Sequence, residues 1–118
     1  MDGLSHYVKK EERPWGSFER FTLNEPSTVK IITVNPNEAF SLQQHANRDE
    51  EWQIVRGSGK ITVGGETKEA KQGTTFFVKR GTAHRVEAGS EGIQFLEIAF
   101  GAFDEADITR FEDRYGRA

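Results

Sequence analysis

An all-β fold, closed as a sandwich or a barrel, is what this 118-residue sequence predicts. Three observations carry the prediction. Short runs rich in β-branched and aromatic residues recur every ~8–12 residues, with Gly, Pro or Asn between them, as strands and turns do in such folds. Within the runs, apolar and polar residues alternate, so successive side chains fall on opposite faces of a strand. The length suits one hydrophobic core and is too short for two.

The elements follow in chain order. Residues 1–12 read as an N-terminal extension to a domain spanning 13–118, and they place His6 in a terminal arm rather than a site. The strand series then runs through GSFERFT (16–22) and TVKIITV (28–34). VNPNEAF (34–40) supplies a turn at Pro36 and Asn37, because Asn tolerates the left-handed backbone that Gly usually fills. EWQIVRG (51–57) and GKITVGG (59–65) follow, and the Gly64-Gly65 pair inside ITVGGETKEA marks a hairpin. TTFFVKR (74–80), HRVEAG (84–89) and IQFLEIAF (93–100) complete the set. The tail from Phe103 breaks the strand pattern; it reads as short and helical or irregular, with Asp104 placed to cap a helical turn.

Composition excludes several function classes. A formal charge of −3 without a basic run lacks the electrostatic footprint of a nucleic-acid binder. With no cysteine, disulfides, thiolate metal sites and cysteine nucleophiles are all ruled out. No stretch approaches the ~20 apolar residues of a membrane-spanning helix, and the N-terminus has no apolar export segment. A cytoplasmic protein without nucleic-acid or membrane partners is expected.

The chemistry concentrates in SLQQHANRDEEW (41–52) and in the stretch leading to His84. Counted from the Pro36-Asn37 turn, the first segment offers Gln43, His45, Glu50 and Gly57 at spacings of one, four and six intervening residues. The second, GTTFFVKRGTAHRVEA (73–88), offers Gly73, Lys79, Gly81 and His84. A barrel can bring His45 and His84 together despite their separation of 39 residues. Gln43 and His45 lie on one face of an extended segment, and an amide oxygen is an acceptable neutral ligand for a hard or borderline metal.

These paired patterns resemble the two motifs of the cupin superfamily, whose jelly-roll barrel (a double-stranded β-helix) holds a divalent metal with histidines and a glutamate. Together with RPWGSFERF (13–21) and DITRFEDRYGR (107–117), they resemble more narrowly the cupin domain of type II phosphomannose isomerases, over nearly the whole chain. Where that family commonly reads HHHRxEHW, this chain has HANRDEEW, so Ala46, Asn47 and Glu51 stand at histidine positions. Lys79 and Ala88 stand where proline and asparagine are usual.

The resemblance implies a metal set of Gln43, His45, Glu50 and His84 around one divalent ion, whether zinc, manganese or iron. It also implies a metal-dependent sugar-phosphate isomerase of the mannose-6-phosphate/fructose-6-phosphate type, acting on a small-molecule sugar phosphate as a homodimer. Such a reaction needs a base, for which Glu51 and Lys79 are the candidates. It needs a cationic seat for phosphate, for which Arg48, Arg85 and Arg110 are candidates. Glu97, set in the apolar run FLEIAF, reads as a polar residue facing the cavity. Two alternatives stay open: a non-catalytic cupin that binds a sugar or small anion, and another metal-dependent cupin enzyme such as a dioxygenase. Taken singly, each arginine and Lys79 also fits a surface ion pair, and Trp15 and Trp52 fit packing positions.

Overall fold

The computed structural model describes residues 9–117, so His6 lies outside the described residues. The expected all-β architecture is present. Among the described residues nine strands run in order: β1 (Lys9–Arg13), β2 (Gly16–Arg20), β3 (Ser27–Val34), β4 (Leu42–Gln44), β5 (Arg48–Val63), β6 (Glu66–Lys71), β7 (Thr75–Val78), β8 (His84–Gly101) and β9 (Thr109–Glu112). Among the described residues there is no helix. β1 and β2 form a hairpin sheet of their own; the other seven strands form one sheet in the order β6-β5-β8-β4-β9, with β3 pairing β8 and β7 pairing β5.

Two turns form where local chemistry demanded them. Asn37 takes φ 63°, and Gly64 takes φ 62° between the paired residues Val63 and Glu66. The tail differs from a helical reading. Asp104 does cap a turn, its Oδ1 accepting from the Ala106 N–H at 2.9 Å, but the chain then enters β9, which pairs with β4.

Four of the expected strands are two long ones. EWQIVRG and GKITVGG are both parts of β5, and HRVEAG and IQFLEIAF are both parts of β8. What looked like turns are irregularities in a continuous antiparallel ladder, with register shifts between Ile54 and Arg56 and between Gly57 and Gly59. At this corner the backbones nearly touch. A Cβ on Gly57 would lie 2.2 Å from the Gly92 carbonyl oxygen, and one on Gly59 would lie 2.3 Å from that of Glu87. Only glycine fits, and the bulges swap the inward frame from even to odd positions on β5, from Trp52 and Ile54 to Ile61 and Val63.

The core lies between the two halves of the bent ladder. Trp52, Ile54, Ile61, Val86 and Phe95 are all buried to 1% exposure or less. Each contributes about 1.5–3 kcal/mol of apolar burial. Trp52 joins core and site: its ring packs against Phe95 at 5.1 Å and meets His84 edge-on at 5.5 Å. No helix among the described residues is long and apolar enough to cross a membrane.

Candidate metal centre

His45, Glu50 and His84 offer ligand atoms that all lie within 4.8 Å of one another, and all three residues are buried. Three elements deliver them. Glu50 is on the inward face of β5 beside Trp52, His84 opens β8, and His45 lies in the short link between β4 and β5. Gln43, on β4, is paired in register with His84, so the two share a face. Its Nε2 lies 3.5 Å from His45 Nε2, while its Oε1 accepts from Ser41 Oγ at 2.6 Å.

Both histidines are held in the same manner. His45 Nδ1 donates to the Asp107 carbonyl at 2.7 Å, and His84 Nδ1 donates to the Thr82 carbonyl at 2.9 Å. A proton fixed on Nδ1 leaves the Nε2 lone pair facing inward, which is how imidazole ligands are oriented in metal sites. His84 Nε2 is buried without a hydrogen-bond partner among the described residues. Burial holds the His84 pKa below its usual value, outweighing the Thr82 bond and the Glu50 charge, so the ring is kept neutral. An orphaned neutral imidazole nitrogen beside a second imidazole and a carboxylate fits a divalent metal ion.

Glu50 is ionised. Burial alone would raise its pKa, but the Arg48 hydrogen bond, together with electrostatic interactions with His84, His45 and the Arg48 charge, outweighs it, and the net shift is downward. Arg48 Nε donates to Glu50 Oε2 at 2.8 Å, and Trp52 Nε1 donates to Oε1 at 3.0 Å. Arg48 Nη2 also donates to His45 Nε2 at 3.2 Å, and Nη1 reaches the Asp104 carbonyl at 3.2 Å. Glu97 joins this inward group by a hydrogen bond to Glu50; burial, then repulsion from Glu50, raise its pKa to about 8.

Residues 102–108 form a strap over the cluster. Phe103 stacks on Arg48, and Asp107 uses both carboxylate oxygens to accept from the Ala46 and Asn47 N–H groups at 2.8 and 2.9 Å. Neither Phe103 nor Asp107 was legible as a site residue. One works through its ring and the other through its backbone carbonyl, and neither leaves a sequence pattern.

The remaining sequence candidates separate. Glu51 is as buried as Glu50 but points to the other face of β5, in register with Phe77 and Ile98, so the strand's alternation carries it away from the candidate cluster. Lys79 is exposed beyond the end of β7, in the link to β8. Neither is brought to the cluster as a base. Arg85 is on the opposite face from His84, bound to the Phe40 carbonyl and to Glu112. Arg110 pairs in register with Gln43 and so shares its face; its Nε is buried without a partner among the described residues. Arg48 and Glu97 are both at the cluster.

The family model described as "Mannose-6-phosphate isomerase C-terminal" matches residues 3–113. The chain belongs to the mannose-6-phosphate isomerase C-terminal family. This cupin domain is 36% identical over 115 residues to the mannose-1-phosphate guanylyltransferase ManC of Salmonella typhimurium, covering 95% of this chain and 24% of that protein. It is 35% identical over 111 residues to the xanthan biosynthesis protein XanB of Xanthomonas campestris, covering 92% and 24%. The domain thus spans about a quarter of the length of the curated relatives it matches. Its fold is that of known cupins: a cupin protein from Bacteroides fragilis aligns with TM-score 0.59 and 26% identity, over 64% of this chain and 66% of that one. The capsular polysaccharide assembling protein CapF of Staphylococcus aureus aligns with TM-score 0.63 and 19% identity, over 89% and 32%.

Proposed function

We propose that this domain is a metal-dependent sugar-phosphate isomerase that interconverts mannose 6-phosphate and fructose 6-phosphate, in the supply of activated mannose for polysaccharide. The observation that carries the reading is the pair of histidines anchored through Nδ1 with Nε2 turned onto Glu50, within a chain of this family.

His45, Glu50 and His84 would hold the ion, with the Gln43 amide as a fourth ligand once its oxygen is turned inward. A divalent ion there would supply Lewis-acid polarisation of the sugar's carbonyl and hydroxyl oxygens. The chain's own residues do the rest. Glu97, on the inward face and in contact with Glu50, is the carboxyl placed to carry a proton between adjacent sugar carbons, in place of Glu51 and Lys79. The strap excludes water from the centre, and the Asp107 carbonyl fixes the His45 tautomer. Homodimerisation belongs to the same reading: β3 pairs only β8 among the described residues, and its outward Val29 and Ile31 are more than half exposed, a surface that a second copy would cover.

Metal content of untagged protein, measured by elemental analysis alongside isomerase turnover on the same sample, tests this. Near-stoichiometric metal with chelator-sensitive turnover is expected. His84→Ala should lose the metal while keeping a β-sheet circular-dichroism spectrum; unchanged metal content in that variant would sink the assignment.

A second reading, a non-catalytic cupin that binds a sugar or small anion, is favoured by one observation. Arg48 Nη2 already engages the His45 lone pair that a metal would need. Sugar binding without metal or turnover would establish that reading. Oxygen uptake by iron-loaded protein would instead indicate a dioxygenase.

A further inference from the structure

Lys30 is a charged side chain beside the centre that nothing in the proposed chemistry uses. Along β3, Thr28, Lys30, Ile32 and Val34 are the less exposed positions of an alternating pattern, and Lys30 is in register with the inward Glu97. Its Nζ lies 4.5 Å from the centroid of the Phe103 ring. The Arg48 guanidinium carbon lies 4.4 Å from the same centroid.

Two cations therefore converge on one phenyl ring at the mouth of the metal centre. Like charges drawn to one ring repel; Glu50 compensates Arg48 in part, and the ring quadrupole itself compensates only weakly. Their other holds on the strap are slight. Lys30 pairs with Glu105 at 3.1 and 3.2 Å, but the Glu105 side chain is 74% exposed, and such pairs add little. Arg48 Nη1 reaches only the Asp104 backbone carbonyl. Glu105, Asp104 and Phe103 are all strap residues, so lifting the strap would free both cations at once. A point-charge ammonium beside a guanidinium fork is an arrangement that matches phosphate oxygens. The strap also has the anatomy to lift. Asp107 ties one end to the backbone of Ala46 and Asn47, and Gly101, at φ 109°, sits at the other.

We propose that Lys30 and Arg48 form the seat of a phosphoryl dianion, and that Phe103 occupies this seat until the ligand displaces it and the strap swings outward. The proposal deepens the isomerase reading, resting on it for the identity of the sugar but not for the anion. While Arg48 Nε stays on Glu50, its terminal nitrogens turn to phosphate oxygens, which also relieves its hold on the His45 lone pair.

Calorimetric titration of the full-length, metal-loaded protein tests the seat, at constant ionic strength, with inorganic phosphate, mannose 6-phosphate and mannose as separate probes. Lys30→Met should weaken both phosphate-bearing probes about tenfold to a hundredfold, the loss of a charged hydrogen bond, and leave mannose unaffected. Lys30→Arg should retain most of the affinity. Phe103→Ala should act in the opposite direction and tighten phosphate binding, since it raises the fraction of protein with an open seat. If Lys30→Met does not fold, Lys30→Gln, which keeps a polar group beside Glu97, makes the same comparison. Phosphate affinity that is absent in the wild type, or equal in wild type and Lys30 variant, overturns the seat. Equal weakening by Phe103→Ala and Lys30→Met makes Phe103 part of the wall and overturns its displacement. Phosphate binding that depends on Lys30 without isomerase turnover removes the isomerase reading and leaves the seat. Turnover with an unchanged KM in Lys30→Met does the reverse.

Discussion

Glu50 and Glu51 are consecutive, each is 1% exposed, and they have opposite fates. On the inner face of β5, Glu50 accepts from Arg48 and Trp52, faces two histidines and stays ionised. On the outer face, neither oxygen of Glu51 has a hydrogen-bond partner among the described residues, and burial raises its pKa to about 7. Burial alone therefore says nothing about what a carboxylate does. The partners decide whether low dielectric strengthens a charge's interactions or extinguishes the charge.

The contrast can be broken first on the inner face. Glu50→Ala leaves Arg48 buried without its carboxylate, and urea denaturation should show a loss of about 3–5 kcal/mol. Adding Arg48→Met to that variant should restore part of the loss; a double variant no more stable than Glu50→Ala would mean that the pair is not what couples these sites.

The outer face should respond with the opposite sign. With a folded pKa of about 7 against an ordinary 4.5, Glu51 binds its proton more tightly in the folded state. Its neutral form contributes fully below about pH 4.5, and that contribution drains away as the pH rises to about 7. Glu51→Gln should accordingly be more stable than the wild type at pH 8 by about 2–3 kcal/mol, with the advantage shrinking towards pH 5. A stability difference that stays flat from pH 5 to 8 would contradict this account of Glu51.

The smallest expected effect sharpens the comparison from the side of the strap. Asp107→Ala removes the carboxylate anchor of the carbonyl that orients His45, and metal affinity should fall about tenfold with the fold intact. Competition with a metallochromic chelator measures it, and an unchanged affinity would show that His45 needs no such support.

Much of this was legible in the sequence because the deciding chemistry is local. Asn37 and the Gly64-Gly65 pair announced their turns, and the resemblance to the cupin motifs pointed to Gln43, His45, Glu50 and His84, of which the last three converge. The two long strands were misread as four because glycine marks a bulge and a turn in the same way; Gly57 and Gly59 are read correctly only when Gly92 and Glu87 are seen against them. Lys30 left one overlooked signal. In TVKIITV it shares the frame of Ile32 and Val34, and an inward lysine among core residues calls for a partner. Asp107 left none, since its hydrogen bond to His45 bridges 62 positions through a backbone oxygen.

The bend in the β5–β8 ladder has a mechanical consequence. Its register runs from Arg48 opposite Gly101 to Val63 opposite His84, so Glu50 and His84 sit near opposite ends of one pair of strands. Laid straight, that stretch of β5 would hold them roughly 40 Å apart. Doubled over at the glycine corner, it brings them within reach of a single ion. An ion gripped by both would act as a clasp on a hinged hairpin, and by mass action its grip would be returned as resistance to unfolding. Gly57→Ala would then pry the jaws from the hinge end, and the clasp would fail without any ligand having been touched.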